Sequence, residues 1–235
     1  RSVDRDLLNE TILGGQGWPV YVEYVDINDP HWQSKWEYPY DPQEAERLLD
    51  QAGYPRGANG MRFSEPLPLF VGPELGGGQG IAGEIGDAIA GFWERIGVPT
   101  QVLKYNYAVF RPGLVGRSTT IPFLTSCDDG VTPQPWDWPK GLVMSSLTRG
   151  GFSCGFESDF ITKNYQAAAK EPDINKRIEY TNAFVDYIHH WALAPGYIVV
   201  PNKLTVNPKS IAEWKMRPSY VAAWSALENI VPAQR

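Results

Sequence analysis

The stretch from Tyr40 to Pro55 reads YDPQEAERLLDQAGYP and carries both the start and the stop signals of an α-helix. Asp41 is placed to accept hydrogen bonds from the free amides of a first turn, Pro42 suits that turn, and Glu44 can complete a capping box. Gly53 supplies the conformation that ends a helix. The apolar residues between these signals share one face, which predicts an amphipathic helix. They are Ala45, Leu48, Leu49 and Ala52.

Outward from this helix, the chain alternates between helix patterns and strand patterns. Apolar residues recur with helical spacing in segments 4–13, 81–96, 158–170 and 173–191, and a shorter helix is expected at 107–114. Short apolar runs predict strands at 20–25, 67–71, 100–105, 121–125, 197–206 and 227–231. This alternation, without an internal repeat, predicts an α/β fold.

The composition describes a folded, acidic chain with many turns. Of its 235 residues, 43% are apolar and 13% aromatic, and 23 Gly and 20 Pro exceed the usual share of these residues. The formal net charge is -6 and the Lys and Arg residues are scattered. No basic stripe is present to neutralise phosphates, so we expect no nucleic-acid partner. No apolar run approaches the roughly 18 residues of a membrane span, so we expect no membrane insertion by this segment.

Segment 126–156 differs from the rest of the chain, because it lacks a sustained period and concentrates aromatic and acidic side chains. Long irregular segments of this kind are often functional. Paired carboxylates beside Trp rings can hydrolyse a glycosidic bond, and they can equally anchor an ammonium or a sugar hydroxyl without catalysis. A structural loop with solvated aspartates is the third interpretation. The residues concerned are Asp128, Asp129, Trp136, Asp137 and Trp138.

Residues 78–83 match the pattern G-x-G-x-x-G of dinucleotide-binding folds and precede a predicted helix. Six residues separate Val71, at the end of the preceding strand, from Gly78, where a nucleotide-binding fold needs a tight turn. The next strand also lacks the acidic residue that would bind a ribose. We therefore interpret this segment as a flexible loop that leads into a helix.

Residues 151–155 match the nucleophile pattern G-x-S-x-G, and Ser153 precedes aspartates and histidines in the chain order of an α/β-hydrolase. The residues before Ser153 are polar and turn-like, whereas a nucleophile elbow follows a buried strand. A hydrolase that uses Ser153 or the carboxylates of segment 126–156 is therefore the alternative function of another class. Its further candidate residues are Asp159, Asp173, Asp186, His189 and His190.

The chain contains 3 His and 2 Cys, and their spacing fits no metal site. His189 and His190 are adjacent on a predicted helix and point in different directions, so they cannot easily share a metal ion. A disulfide between Cys127 and Cys154 would contribute about 3 to 4 kcal/mol, and two buried free thiols are equally consistent with the sequence. We expect no cofactor.

The 40–55 stretch resembles the Y-D-P-x-x-A-x-x-L-L-x-x-A-G-Y-P sequence of the family 5 extracellular solute-binding proteins. These are peptide, dipeptide and nickel receptors of bacterial ABC importers. Residues 3–5 and 12–17 resemble the Asp-Arg helix of the family and its glycine exit, and residues 84–105 resemble a helix and strand that usually read L-x-x-I-G-I-x-V. Three further segments resemble the paired helices of the family and the strand behind them; they are 158–160, 173–177 and 194–197.

The resemblance implies an α/β, mixed-sheet lobe of the type II periplasmic-binding-protein fold, without enzymatic activity. It corresponds to the second half of a family member, so residues 1–205 would form the ligand-clasping lobe and residues 206–235 would return toward the first lobe. The charged residues 1–5, with no initiating Met or signal peptide, are interpreted as the edge of a mature or cut product. The implied location is the periplasm or the cell exterior, with a lipid anchor in the absent N-terminal part. Implied partners are a peptide or small-molecule ligand, the importer permease and the absent N-terminal lobe.

The resemblance also implies which residues contact the ligand. In peptide-binding members, an aspartate in a G-W-x-x-D-Y motif after a sheet strand pairs with the peptide ammonium; Asp129 matches it best and Asp128 next. The Gly and Trp of that motif are replaced by Thr125 and Ser126. An oligosaccharide or opine-type ligand is therefore the alternative to a peptide. The candidate ligand-binding residues are Asp129, Asp128, Trp136, Asp137, Tyr107, Arg111 and Trp18.

Overall fold

A computed structural model describes residues 1–22, 25, 27–72, 81–106, 108–109, 112–113, 123–124, 158–193, 195–201, 205–215 and 227–233 of the chain. Within these residues the α-helices are α1 (Arg5–Leu13), α2 (Pro42–Gln51), α3 (Ala82–Arg95), α4 (Asp159–Lys170) and α5 (Ile174–His190). The strands are β1 (Trp18–Pro19), β2 (Leu67–Val71), β3 (Thr100–Lys104), β4 (Phe123–Leu124), β5 (Ile198–Val199), β6 (Ile211–Trp214) and β7 (Ile230–Pro232). Short 3-10 helices span Ser34–Trp36 and Leu227–Asn229. This order confirms the predicted α/β fold.

Local capping residues set the helix ends largely as predicted. Asp4 and Asp41 each accept a hydrogen bond of 2.9 Å from an amide in the first turn of the helix that follows, which are α1 and α2. Gly14, with a φ of 59°, ends α1 in the left-handed conformation that favours glycine. The predicted capping box is wrong, because the Glu44 carboxylate pairs with Arg47 at 2.6 Å instead.

Helix α2 buries none of its side chains, although its apolar residues share one face. Leu48 on that face is 43% exposed. The helix is instead held by Arg62, whose side chain is 1% exposed and forms ion pairs with Glu46, at 3.0 Å, and with Asp50. The same guanidinium donates to the carbonyl of Ile96 at 2.7 Å. Arg62 therefore joins α2 to the end of α3.

Strands β2, β3 and β4 form a parallel sheet in the order β3-β2-β4. β2 and β3 pair along their full length, from Leu67 opposite Thr100 to Val71 opposite Lys104. Helix α3 connects them, as parallel neighbours require. β4 pairs with residues 70 and 71 of β2. Pro68 lies in the part of β2 that pairs with β3 alone, which suits a residue without an N–H group.

Helix α3 packs closely on the sheet because Gly86 faces β2. A Cβ atom at that position would lie 2.7 Å from Cγ2 of Val71, well inside the optimal separation of carbon atoms. Together these elements enclose what we name the sheet core, in which each large apolar side chain contributes roughly 1.5 to 3 kcal/mol on burial. The sheet core consists of Val3, Leu8, Leu69, Val71, Ala82, Ile85, Ile89 and Phe92.

Helices α4 and α5 pack together and contribute to a second cluster, which we name the hairpin core. Its most voluminous member, Trp36, is fully buried and donates its indole N–H to Asp186 at 2.7 Å. Lys35 donates to the same carboxylate at 2.8 Å, which ties the segment before α2 to α5. Ile174, expected inside, is 46% exposed at the first position of α5. The hairpin core consists of Val22, Val25, Trp36, Ile161, Phe184, Val185 and Ile188.

The strand predictions nearest the two ends of the chain have wrong boundaries. The strand expected at 20–25 is β1 at residues 18–19, which pairs antiparallel with β5, and it is followed by a single bridge between Val22 and Pro195. β5, at Ile198–Val199, covers only part of the expected 197–206, of which residues 202–204 lie outside the described residues. Residues 227–229 form a 3-10 helix, and β7 after it pairs with β6. In the part of the chain described above, none of the helices combines the length and apolar character that crossing a bilayer requires.

Candidate functional site

The carboxyl ends of the three parallel strands define the candidate site. β2, β3 and β4 end at Val71, Lys104 and Leu124, and because the strands are parallel these ends lie at one edge of the sheet. Neighbouring strands are about 4.8 Å apart, so β3 and β4, on either side of β2, are about 10 Å apart. Open α/β sheets bind their ligands at such an edge.

Six of the seven predicted ligand-binding residues follow β3 or β4 in sequence. Two come three and seven residues after the end of β3, and two come four and five residues after the end of β4. The strand order makes both segments start at the same edge. Outside the described residues lie Tyr107, Arg111, Asp128, Asp129, Trp136 and Asp137, and with them Cys127, Ser153 and Cys154.

Tyr105 is a residue at this edge that the sequence analysis did not identify. Its backbone N–H donates to the carbonyl of Val71 at 3.1 Å, and the residue is 37% exposed. Its ring meets that of Phe70 edge to face, with centroids 5.0 Å apart. A partly exposed ring at this candidate edge offers flat apolar contact. The available signal was its position as the last residue of the strand predicted at 100–105.

Trp18, the seventh predicted residue, is described by the structure and is partly exposed. It lies opposite Val199 in the β1–β5 pair, and Pro19 lies opposite Ile198. Two side chains from α1 hold the backbone on either side of this dipeptide, and they place Trp18 within a network that the sequence analysis did not predict.

Asn9 holds the backbone directly before Trp18. Its Nδ2 donates to the carbonyl of Gly17, and the N–H of Gly17 donates to Asn9 Oδ1, both at 2.9 Å. A side chain at position 17 has no space, since a Cβ would lie 2.3 Å from the carbonyl oxygen of Val199 and 2.6 Å from Cδ1 of Leu13. The glycine therefore permits the close approach of α1, β1 and β5.

Arg5 holds the backbone after the Trp18–Pro19 dipeptide. Its Nε donates to the carbonyl of Val20 at 3.0 Å and to that of Gly196 at 3.1 Å, and its Nη2 donates to Gly196 at 2.9 Å. The residue is 6% exposed. One buried guanidinium thus links α1 to the segment that follows β1 and to the segment that precedes β5.

Three tyrosine rings surround the Arg5 guanidinium. The distances to the centroids of Tyr21, Tyr38 and Tyr197 are 4.9, 5.8 and 5.4 Å, at which cation–π attraction stabilises a desolvated cation. Burial lowers the pKa of Arg5 and raises the pKa of Tyr197, and it raises the pKa of Tyr38 to about 12. Near neutral pH the cluster is therefore one cation among neutral rings.

A small cavity lies beside this cluster, with a volume of about 30 Å³. Nη1 of Arg5 is buried and has no hydrogen-bond partner among the described residues. The cavity has about the volume of one water molecule, whereas sites for organic ligands measure hundreds of Å³. The Arg5 cluster therefore organises the strands and is too small to hold a solute. The cavity is lined by Val3, Asp4, Arg5, Asp6, Tyr21, Tyr38 and Tyr40.

Several residues named as candidates for the alternative hydrolase function make structural contacts in the fold. The His189 ring stacks on Tyr38 with centroids 4.3 Å apart. Burial lowers the pKa of His189, and the backbone of Glu37 opposes this in part. Asp173 accepts hydrogen bonds from two amides in the first turn of α5, and Asp186 is the partner of the Trp36 indole. These roles require no catalysis.

The described residues contain no group of three or more His, Cys, Asp and Glu side chains that is arranged to hold a metal ion. His31, the histidine outside α5, contacts Asp29 with its Nδ1 2.9 Å from Oδ1. This contact joins residues two positions apart in the chain.

Solved structures of bacterial solute-binding proteins share this fold. The oligopeptide-binding protein OppAIV of Borrelia burgdorferi superposes with a TM-score of 0.69 at 19% identity, over 98% of this chain and 43% of its own. The dipeptide-binding protein of Pseudoalteromonas sp. SM9913, in complex with Met-Leu, gives 0.67 at 19% identity, over 83% and 37%. AgaA of A. tumefaciens R10, in complex with agropinic acid, gives 0.66 at 16% identity, over 100% and 46%. The fold is that of periplasmic solute-binding proteins, and this chain spans less than half of each.

Sequence relatives identify the family within this class. Heme-binding protein A of Haemophilus influenzae is 31% identical over 134 residues, which are 55% of this chain and 22% of that protein. Protein XP55 of Streptomyces lividans is 27% identical over 152 residues, 65% of this chain and 27% of that protein. The family model "Bacterial extracellular solute-binding proteins, family 5 Middle" matches residues 1–124, more than half of the chain. The chain belongs to the family 5 bacterial extracellular solute-binding proteins, which confirms the predicted resemblance.

Proposed function

We propose that this chain forms the ligand-clasping lobe of the solute receptor of a bacterial ABC importer. Family membership carries this proposal. In it, residues 1–205 form the lobe, residues 206–235 return toward an N-terminal lobe, and the two lobes close around the solute without making or breaking a covalent bond. The receptor works in the periplasm or outside the cell, anchored through lipid at the N-terminal part of the complete protein, and delivers its solute to the permease.

The site of this proposal is the carboxyl edge of the parallel sheet. The order β3-β2-β4 supports it, because the segments that follow β3 and β4 both start at that edge. In the proposal Asp129, with Asp128 as the second choice, pairs with an ammonium group of the solute. Trp136 and Tyr107 supply ring contacts, while Asp137, Arg111 and Trp18 supply further polar or apolar contacts.

The proposed solute is a peptide or a similar small molecule with a free amino group. A charge-assisted hydrogen bond from an ammonium to a carboxylate is about twice as strong as a neutral one. Three other solute classes are to be compared with it. An oligosaccharide fits the Trp-rich segment. An opine-type solute is included because the structural neighbour AgaA is in complex with agropinic acid, and haem is included because the relative from Haemophilus influenzae is named a heme-binding protein.

A binding screen of the complete two-lobed protein tests the function. Thermal unfolding is followed with di- to pentapeptides, oligosaccharides, agropinic acid and haem, since a ligand that binds the folded state raises the unfolding temperature. We expect stabilisation by peptides with a free N-terminus. Lack of stabilisation by every class would refute the receptor role. Stabilisation by another class alone would replace the peptide assignment.

The role of Asp129 is tested separately by calorimetric titration of a bound peptide. Asp129→Asn removes one partner of a desolvated charge pair, so we expect the Kd to rise about thirtyfold or more. Glu179→Gln removes the same charge at an exposed position of α5; it is the matched control and leaves the Kd unchanged. If N-acetylated and free peptides bind the natural protein equally, Asp129 does not recognise an ammonium, although the receptor role stands.

A further inference from the structure

Trp18 lies in a strand that is too short to fix its own backbone. β1 contributes two residues to the pair with β5, and one of them, Pro19, has no N–H group to donate. Isolated pairs of short strands are marginally stable in water. Two backbone hydrogen bonds of 3.1 Å, from Val20 N–H to the Tyr197 carbonyl and from Gly196 N–H to the Tyr21 carbonyl, extend the pairing on one side of the dipeptide. Side chains from outside the two strands add further contacts to the backbone around Trp18.

Helix α1 supplies these side chains on both sides of the dipeptide. Asn9 binds Gly17 through two hydrogen bonds of 2.9 Å, and Arg5 binds the carbonyl of Val20 at 3.0 Å. Arg5 and Asn9 are four residues apart and so lie on the same face of the helix. One rigid helix face therefore holds the residue before Trp18 and the residue after Pro19.

The same face reaches across to β5. Arg5 donates two hydrogen bonds to the carbonyl of Gly196, and a Cβ at that glycine would lie 2.5 Å from Cγ1 of Val20. The approach of the two segments is thus as close as glycine allows. Because the Arg5 guanidinium is buried among three tyrosine rings, this connection is shielded from competing water.

We propose that Arg5 and Asn9 are positioning residues for the solute site, which hold Trp18 in its binding arrangement before the solute arrives. This rests on the proposed function, in which Trp18 contacts the solute. A side chain that is already ordered adds no ordering cost on binding. If loss of the Asn9 or the Arg5 hydrogen bonds leaves Trp18 correctly arranged in a tenth of the molecules, the Kd rises about tenfold.

Fluorine NMR of the complete protein labelled with 5-fluorotryptophan tests the positioning without any ligand. The Trp18 resonance is assigned by its disappearance in Trp18→Phe. We expect two variants to shift or broaden this resonance. Asn9→Ala removes the hydrogen bonds to Gly17, and Gly17→Ala keeps the Asn9 side chain but places a methyl group against β5. Asn164→Ala removes an exposed side-chain hydrogen bond in α4, and Gly91→Ala adds a methyl group in open space. Both controls leave the Trp18 resonance in place.

Arg5→Lys tests the second positioning residue, and Arg56→Lys is its control. Arg56 also donates to two backbone carbonyls, those of Gly60 and Arg95, but it is exposed and distant in sequence from Trp18. A purely structural role of Arg5 lowers the unfolding temperature without moving the Trp18 resonance. If Arg5→Lys does not fold, Asn9→Ala decides alone, because its residue is partly exposed.

Binding is measured with trialanine by calorimetry. We expect Asn9→Ala and Trp18→Ala each to raise the Kd about tenfold. The double variant should raise it little further, because Asn9 affects binding only through Trp18. An unchanged Trp18 resonance in folded Asn9→Ala and Gly17→Ala overturns the proposal. An unchanged Kd in Asn9→Ala, where Trp18→Ala weakens binding, also overturns it. If trialanine binds no form, the peptide assignment fails, and the fluorine spectra still decide whether α1 positions Trp18.

Discussion

Replacing Arg62 by Met should destabilise the protein strongly although no apolar group is lost. The guanidinium donates to the carbonyls of Ile96 at 2.7 Å and Tyr54 at 2.6 Å, and it pairs with Glu46 and Asp50. Met keeps the length of the side chain and most of its apolar stem. The change therefore isolates the hydrogen bonds and the charge.

The magnitude follows from the exposure of each partner. The two carbonyls lose charge-assisted hydrogen bonds of about 1.5 kcal/mol each. The carboxylates of Glu46 and Asp50 are 35% and 54% exposed, so water replaces much of their interaction, and together they add less than about 1 kcal/mol. We expect Arg62→Met to lower the free energy of unfolding by about 3 to 4 kcal/mol, which corresponds to about 10 °C in Tm.

Urea unfolding followed by circular dichroism measures this change, with an unchanged m value as evidence that the unfolded surface is the same. Arg47→Met is the matched control on α2, because Arg47 forms an exposed pair with Glu44 three residues away; no measurable change is expected. A loss below about 1 kcal/mol for Arg62→Met would refute the reasoning, since α2 would then be held by contacts other than this guanidinium.

Further predictions concern one histidine and two glycines. Burial lowers the pKa of His189 from its ordinary value of 6.5, so the unfolded state binds the proton more tightly and stability is lost as pH falls below that value. Urea titrations between neutral pH and about pH 5 should show a weaker pH dependence of stability for His189→Gln than for the natural protein. Gly86→Ala places a methyl group 2.7 Å from Val71 and should lower the free energy of unfolding by about 1 to 3 kcal/mol. Gly91→Ala, which meets no atom within 4 Å on the same helix, should raise it by about 0.5 to 1 kcal/mol; equal effects at both glycines would contradict the close packing of α3.

Elements with local signals were predicted well from the sequence. The strand at 67–71 was predicted with its observed bounds, and α1, α3, α4 and α5 end within one or two residues of the prediction. Caps, glycine stops and apolar periods act within one or two turns of the chain, so the sequence carries them directly. The parallel order of β2 and β3 follows from the helix between them.

The features that were not predicted correctly depend on contacts with residues far away in the chain. β1 was misplaced because its position is set by Arg5 and by β5, which lies about 180 residues later. The amphipathic face of α2 was correct as a pattern, but the pattern does not reveal that Arg62 holds the helix through its polar side. The role of Arg5 depends on rings at positions 21, 38 and 197, which no spacing rule connects. Of the seven predicted ligand-binding residues, Trp18 alone is described by the structure, and for the others the strand order supports a shared edge.

The division of the apolar interior into a sheet core and a hairpin core has a consequence for how the chain folds during synthesis. Every residue of the sheet core lies within 3–92, so these contacts can form once the first half of the chain has emerged. The hairpin core joins Val22, Val25 and Trp36 to residues 161–188 and must wait until α5 has been made. Contacts between distant residues form late because closing a long loop costs entropy. Until then, Trp36 lacks the α4 and α5 side chains that bury it in the folded protein, and apolar surface exposed on a partly folded chain favours aggregation.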